Sequence, residues 1–165
     1  MPSTANPATG PSINPRSPLL RQLYAYWDTQ RAGRRMPSRQ DMDPLGIDPR
    51  LLPWIMLLDV EQAPRRFRYR LVGTRLVEVM DRDLTGRYLD DLRDLGPVMD
   101  TILSRYDTVV DSRSPLNFED DLVDVNGDRL ALPLGETDNQ VQAIMVGFSA
   151  QDRAPDPEPD GPAAA

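Results

Sequence analysis

The chain has 165 residues, a net charge of −7 and neither histidine nor cysteine, and all nineteen of its basic residues are arginine. These absences exclude disulfides, thiol or imidazole catalysis, and metal, iron–sulfur or haem sites held by Cys or His. The missing lysine excludes a Schiff base and a Walker-type phosphate site. An enzyme built from this chain would depend on carboxylate, Arg, Ser, Thr or Tyr side chains.

The length fits one domain with two tails. Residues 1–17 and 152–165 are rich in proline and lack an apolar period, so we predict that both are disordered. The domain is then residues 18–151, with a flanking helix at 18–33 and a core at 53–149. The N-terminus lacks a signal-peptide pattern, and no apolar run approaches the ~18 residues of a membrane span. We therefore expect a cytoplasmic protein without a membrane span.

The charges are distributed unevenly along the chain. Residues 15–75 contain twelve Arg against six acidic residues, and residues 76–165 contain seven Arg against twenty acidic residues. This asymmetry is typical of a solvated surface with local ion pairs, or of a basic face that meets an acidic partner or an anion. The overall acidity, and the absence of any nucleic-acid-binding motif, argue against a nucleic-acid partner.

The first predicted element is an amphipathic helix over residues 17–31. Ser17 is suited to the N-cap, Pro18 to the first helical position and Gly33 to the end of the helix. Its apolar stripe needs a partner surface, either the domain itself or a second copy of the chain. The candidates for a homodimer contact are Leu20, Tyr24 and Trp27.

Two strands follow the helix. Residues 53–60 form an apolar run of strand length, and residues 61–65 are predicted to be a hairpin loop. Residues 66–72 alternate, which places Phe67, Tyr69 and Leu71 on one face of the strand and an arginine stripe on the other. The stripe is either an exposed face held by nearby acids or a surface for an anion or a partner. It consists of Arg66, Arg68 and Arg70.

The second half of the chain contains helices and then strands. Residues 76–80 suit a short helix, 81–95 suit turns, and 96–110 keep the spacing of a long helix. Strands are predicted at 116–125, 129–134 and 140–149, with a type I′ turn at Asn126-Gly127. Five strands with helices inserted after the second predict an α+β fold.

Several sequence blocks resemble those of the short single-PAS-domain family of alphaproteobacteria, and the order of elements resembles that of a PAS domain. The blocks include Tyr26-Trp27, Leu52-Pro53-Trp54, Phe67-Arg68-Tyr69-Arg70-Leu71-Val72-Gly73-Thr74, Leu84-Thr85-Gly86-Arg87 and Leu132-Pro133-Leu134. The resemblance implies a five-stranded antiparallel sheet with short helices and one long helix on one face, preceded by the N-terminal helix. It also implies a sensory module that holds a small ligand between the sheet and the long helix, and that often dimerises.

The absent residues narrow the ligands that this resemblance implies. His-ligated haem and Cys-linked flavin or chromophore are excluded, no cofactor is certain, and a noncovalent small ligand stays open. The predicted pocket residues could equally form a plain hydrophobic core. They are Met56, Tyr69, Leu71, Met80, Tyr88, Met99, Leu132 and Met145.

The sequence supports a main function and two alternatives. The main one is a single-domain sensory and regulatory protein that binds a small ligand, a regulatory protein partner or both, without catalysis. The first alternative is a cone-shaped isomerase or dehydratase with Asp59 as its base, which requires Asp59 to lie in an apolar cavity. The second alternative is a purely structural dimerisation module.

Overall fold

The structure is a computed structural model that describes residues 13–122 and 125–150, without the side chains of residues 120–126. Three α-helices and five strands make up most of this range. The helices are α1 (Pro18–Arg31), α2 (Thr74–Met80) and α3 (Val98–Ser112). The strands are β1 (Ile55–Gln62), β2 (Arg65–Val72), β3 (Leu116–Leu122), β4 (Val125–Leu134) and β5 (Ala143–Ala150).

The strands form one antiparallel sheet in the order β2-β1-β5-β4-β3. The last of the described strands, β5, lies in the centre, where its apolar side chains are covered on both faces. Helix α1 packs on β4 and β5 on one face, here called the outer face, and α3 packs on β3 and β4 on the inner face. The predicted α+β class with a five-stranded antiparallel sheet is confirmed.

Helix α1 has the caps that its sequence predicts. The Ser17 side chain accepts a hydrogen bond from the Leu20 amide, and Ala32 takes a left-handed conformation after the last turn. Leu20 and Leu23 cover Gly147 of β5, where an added Cβ would lie 2.7 and 2.8 Å from their side chains. The outer face of β5 is therefore shaped to receive this helix.

The apolar stripe of α1 is occupied within the same chain. Leu20 and Trp27 are buried, and the Trp27 Nε1 donates to the Pro133 carbonyl oxygen at 3.0 Å. Tyr24 stacks on Trp27 with ring centroids 6.0 Å apart. The dimer contact through Leu20, Tyr24 and Trp27 stays a prediction, and its alternative, packing on the domain itself, accounts for the buried Leu20 and Trp27.

Two predicted boundaries are corrected by the structure. Residues 13–17 are attached to the domain, because Pro15 is buried and the Arg16 amide donates to the buried Asp128 carboxylate at 2.8 Å. The other residues predicted as tails, 1–12 and 152–165, lie outside the described residues. At the start of β1, Pro53 and Trp54 belong to a short 3-10 helix, Leu52–Trp54, rather than to the strand.

The predicted turn at Asn126-Gly127 is wrong. Both residues lie in β4 and pair with Asp121 and Asp120 of β3, and the pairing continues to Leu122 and Val125. Gly127 makes room for the ring of Phe148 on the neighbouring strand, which a Cβ at this position would overlap. Tertiary packing, rather than a turn, explains this glycine.

Candidate functional site

A buried arginine lies between the sheet and α3. Arg129 of β4 pairs with Phe148 of β5 and is 1% exposed. Its Nη1 donates to the Tyr106 hydroxyl of α3 at 2.7 Å, and its guanidinium lies over the rings of Phe148 and Phe118 at 5.5 and 5.9 Å. Both Arg129 and Tyr106 make further interactions. A buried cation requires such partners, since its desolvation is costly.

Aromatic rings enclose this cation. Phe67 meets Tyr106 edge-on at 5.8 Å, and Phe118 meets it edge-on at 6.4 Å. Because the guanidinium keeps its charge at any physiological pH, it can stabilise the fold and can also donate to an anionic or carbonyl group. Sequence patterns do not reveal Arg129, because it follows the polar run Asn126-Gly127-Asp128, which is typical of an exposed turn.

The predicted pocket residues do not line one cavity. Met56 and Tyr69 belong to the inner face of the sheet, while Leu132 and Met145 are partners of each other on the outer face, in line with Gly147 and α1. Met80 and Met99 are buried on α2 and α3. The prediction that Leu132 and Met145 line a pocket beside α3 is therefore wrong, because strand alternation places both on the opposite face of the sheet.

Leu71 and Tyr88 are also outside the core. A register shift places Leu57 opposite Leu71 and Leu58 opposite Tyr69, so Arg70 is an extra residue in β2. This bulge interrupts the alternation and leaves Leu71 51% exposed. Tyr88 lies beside the edge of β2, where its hydroxyl donates to Glu61 at 2.8 Å and this bond raises the tyrosine pKa.

The outer face of β1 and β2 carries a second group of polar side chains. Asp59 contacts Arg39 at 3.4 Å and Arg70 at 3.5 Å, and Arg68 is its backbone neighbour on β2. Leu57 and the exposed Leu71 are partners on the same two strands. We call this group, Arg39, Leu57, Asp59, Arg68, Arg70 and Leu71, the basic patch.

The third arginine of the predicted stripe is engaged elsewhere. Arg66 contacts Asp90 at 3.2 Å and Asp91 at 3.4 Å, and its guanidinium lies 3.7 Å from the centre of the Tyr88 ring. The hydrogen bond to Asp90 raises the arginine pKa. Arg66 therefore holds the 88–91 segment against β2, while Arg68 and Arg70 face solvent.

A cleft of about 220 Å³ adjoins the basic patch. Arg39 belongs to both, and Ala143 at the cleft wall is the strand partner of Asp59. The loop that carries Arg39 is held by the Asp41 carboxylate, which accepts from Arg34 at 2.7 Å and from the Ser38 amide and hydroxyl at 2.9 Å. These bonds, the one from Arg34 first, lower the Asp41 pKa to about 2. The cleft is thus bordered by a well-tied loop.

Asp59 is not placed as a catalytic base would be. Its side chain is 29% exposed and forms ion pairs on the outer face. Asp59 therefore does not lie in the apolar cavity that the isomerase or dehydratase alternative requires. In the described part of the chain, no cluster of acidic side chains is placed to hold a metal ion. None of the helices described has the length and hydrophobicity needed to cross a membrane.

Comparison with known proteins gives one result. A family model described as a PAS domain matches residues 16–142, from just before α1 to just before β5. No curated protein and no solved structure matches the chain. The match covers well over half of the chain and contains Arg129, Tyr106, the basic patch and most of the residues that line the cleft, whereas Phe148 lies beyond it.

Proposed function

The chain belongs to the PAS domain family, whose general role is sensory and regulatory, and we propose that it regulates a partner protein by binding it through the basic patch, without catalysis. The observation that carries this proposal is the Arg39–Asp59–Arg70 group beside an open cleft and an exposed leucine. We also expect the protein to act in the cytoplasm.

The position of the patch supports a binding role. Helix α1 packs on β4 and β5, so the outer face of β1 and β2 keeps Arg68, Arg70 and Leu71 exposed. Arginine is enriched in protein interfaces, and the fully buried centre of an interface is more apolar than its polar rim. Leu71 is one of three exposed large apolar side chains of the described residues, with Leu45 and Leu52, and its strand partner Leu57 extends it into an apolar strip beside Arg70.

Site-specific photo-crosslinking in the native cells tests this proposal. A photoreactive residue replaces Leu71 in one full-length variant and Thr108 on the exposed side of α3 in a matched control. We expect a discrete crosslinked species from position 71 that is absent from position 108 and is lost when Arg70→Glu is added. The proposal fails if position 71 gives no discrete species, or if both positions give the same one. A species of twice the chain mass would identify a homodimer as the partner complex.

A second candidate function is the binding of a small ligand between the sheet and α3. Its support is the buried guanidinium of Arg129 beside the Tyr106 hydroxyl, on the side where PAS domains hold ligands. Native mass spectrometry of the protein purified from its own cells should then show an added mass that Arg129→Met removes. The bare chain mass in both proteins would refute this candidate.

A further inference from the structure

We propose that the partner presents an acidic segment, in which one carboxylate bridges Arg39 and Arg70 in competition with Asp59 and a neighbouring aliphatic side chain lies on Leu57 and Leu71. This inference rests on the proposed function and adds the chemistry of the partner. The occupant is a peptide segment, rather than a lipid or a free anion, because the patch combines paired cations with an exposed apolar strip.

The charge balance of the patch favours an added carboxylate. Two guanidinium groups, those of Arg39 and Arg70, contact the single carboxylate of Asp59, and the exposed Arg68 is the strand partner of Asp59. Among the described residues, the Arg68 guanidinium makes no hydrogen bond or ion pair. The patch therefore carries a local excess of positive charge although the whole chain has a net charge of −7. At physiological salt, charges beyond about 8 Å are largely screened, so the local excess governs contact.

The geometry of Asp59 favours competition. Its contacts with Arg39 and Arg70 are 3.4 and 3.5 Å, longer than the about 2.7–2.9 Å of strong charge-assisted bonds. Both arginines are half-exposed, at 44% and 58% of their side-chain surface. Asp59 thus orients the two guanidinium groups without saturating their donors, and an incoming carboxylate can use the remaining ones.

The cleft extends the patch on the side of Arg39. Its volume of about 220 Å³ is several times the about 30 Å³ that a water molecule occupies in the liquid. Gln40 and Gln142 line it beside Arg39, so a second polar side chain of the segment meets hydrogen-bonding groups there. Leu71 lies on the other side, where an aliphatic side chain gains by covering it.

Fluorescence anisotropy with a labelled peptide of alternating glutamate and leucine, and the full-length protein, tests the inference. We expect Arg39→Gln and Arg70→Gln each to weaken binding about tenfold, or about 1.4 kcal/mol. The control Arg75→Gln, which removes an equally exposed arginine on α2, leaves binding unchanged. Asp59→Asn strengthens peptide binding, a gain that a misfolded variant would not show. Higher salt concentration weakens peptide binding.

Several outcomes would overturn the inference. The first is that a peptide of alternating glutamine and leucine binds the protein as tightly as the glutamate–leucine peptide. The second is that Arg39→Gln and Arg70→Gln both keep the wild-type affinity. The third is that the protein binds phosphatidylglycerol vesicles more tightly than it binds the peptide. If free phosphate displaces the peptide only at concentrations far above those of the peptide itself, the segment is supported over a simple anion. When crosslinking at position 71 finds a partner and the peptide does not bind, only the acidic chemistry fails. Without any crosslink, the proposed function itself fails.

Discussion

The bond between Tyr106 and Arg129 gives the most direct test of the core. Tyr106→Phe removes only the hydroxyl that accepts the 2.7 Å bond from a guanidinium 1% exposed, and it preserves the ring contacts with Phe67 and Phe118. Arg129 keeps its other interactions, so the cost is at least that of one hydrogen bond to a charged group. Such bonds contribute about 1.5–3 kcal/mol. At about 2–4 °C per kcal/mol for a chain of this size, the melting temperature should fall by roughly 3–12 °C.

Urea unfolding followed by tryptophan fluorescence measures this loss, since Trp27 is buried and Trp54 half-buried. Tyr24→Phe is the matched control, because the Tyr24 hydroxyl has no hydrogen bond within the described residues. A loss below about 0.5 kcal/mol for Tyr106→Phe would refute the reasoning. So would losses for Tyr106→Phe and Arg129→Met that simply add in the double variant, because residues joined by a buried bond should be coupled.

Three further predictions concern the packing and the loops. Gly127→Ala should cost about 1–3 kcal/mol in thermal unfolding, because its Cβ overlaps the buried Phe148 ring, and Phe148→Leu should recover part of that loss. Leu71→Ser should change the free energy of unfolding in urea by less than about 0.5 kcal/mol. A loss of about 2 kcal/mol or more, as for a truncated core side chain, would show that the bulge does not expose Leu71. The Asp41 carboxylate is held in its ionised form by Arg34, so its contribution to stability is complete above pH 3.8 and is lost as the pH falls through about 2. Asp41→Asn should remove that part of the acid dependence, and an unchanged acid profile would contradict it.

Local sequence signals predicted the elements whose cause is local. Ser17 and Pro18 begin α1 as expected, because capping and proline geometry involve only the first turn. The apolar spacing of α3 was readable because one face of that helix is buried along its length, including Met99 and Tyr106. The arginine stripe of β2 was visible for the same reason, since alternation within a strand needs no knowledge of its neighbours.

Signals with more than one physical cause misled the prediction. Asn126-Gly127 has the composition of a tight turn, yet Gly127 lies within β4 because the Phe148 ring of the adjacent strand leaves no room for a side chain. Leu71 follows the alternation of β2, yet the extra residue Arg70 shifts the register. Both errors arise from contacts between strands that are distant in the sequence.

From the sequence alone it was possible to predict the α+β order of elements and the family resemblance. Its composition also excluded chemistry that depends on His or Cys. Which of its charges act together depends on how the folded strands, helices and loops lie against one another. Arg39 reaches Asp59 from a loop twenty residues earlier in the chain, and Arg129 reaches Tyr106 from another element of the fold. Ion pairs and buried hydrogen bonds depend on distances of a few ångströms across strands and helices, and sequence patterns report only which face of its own element a residue occupies.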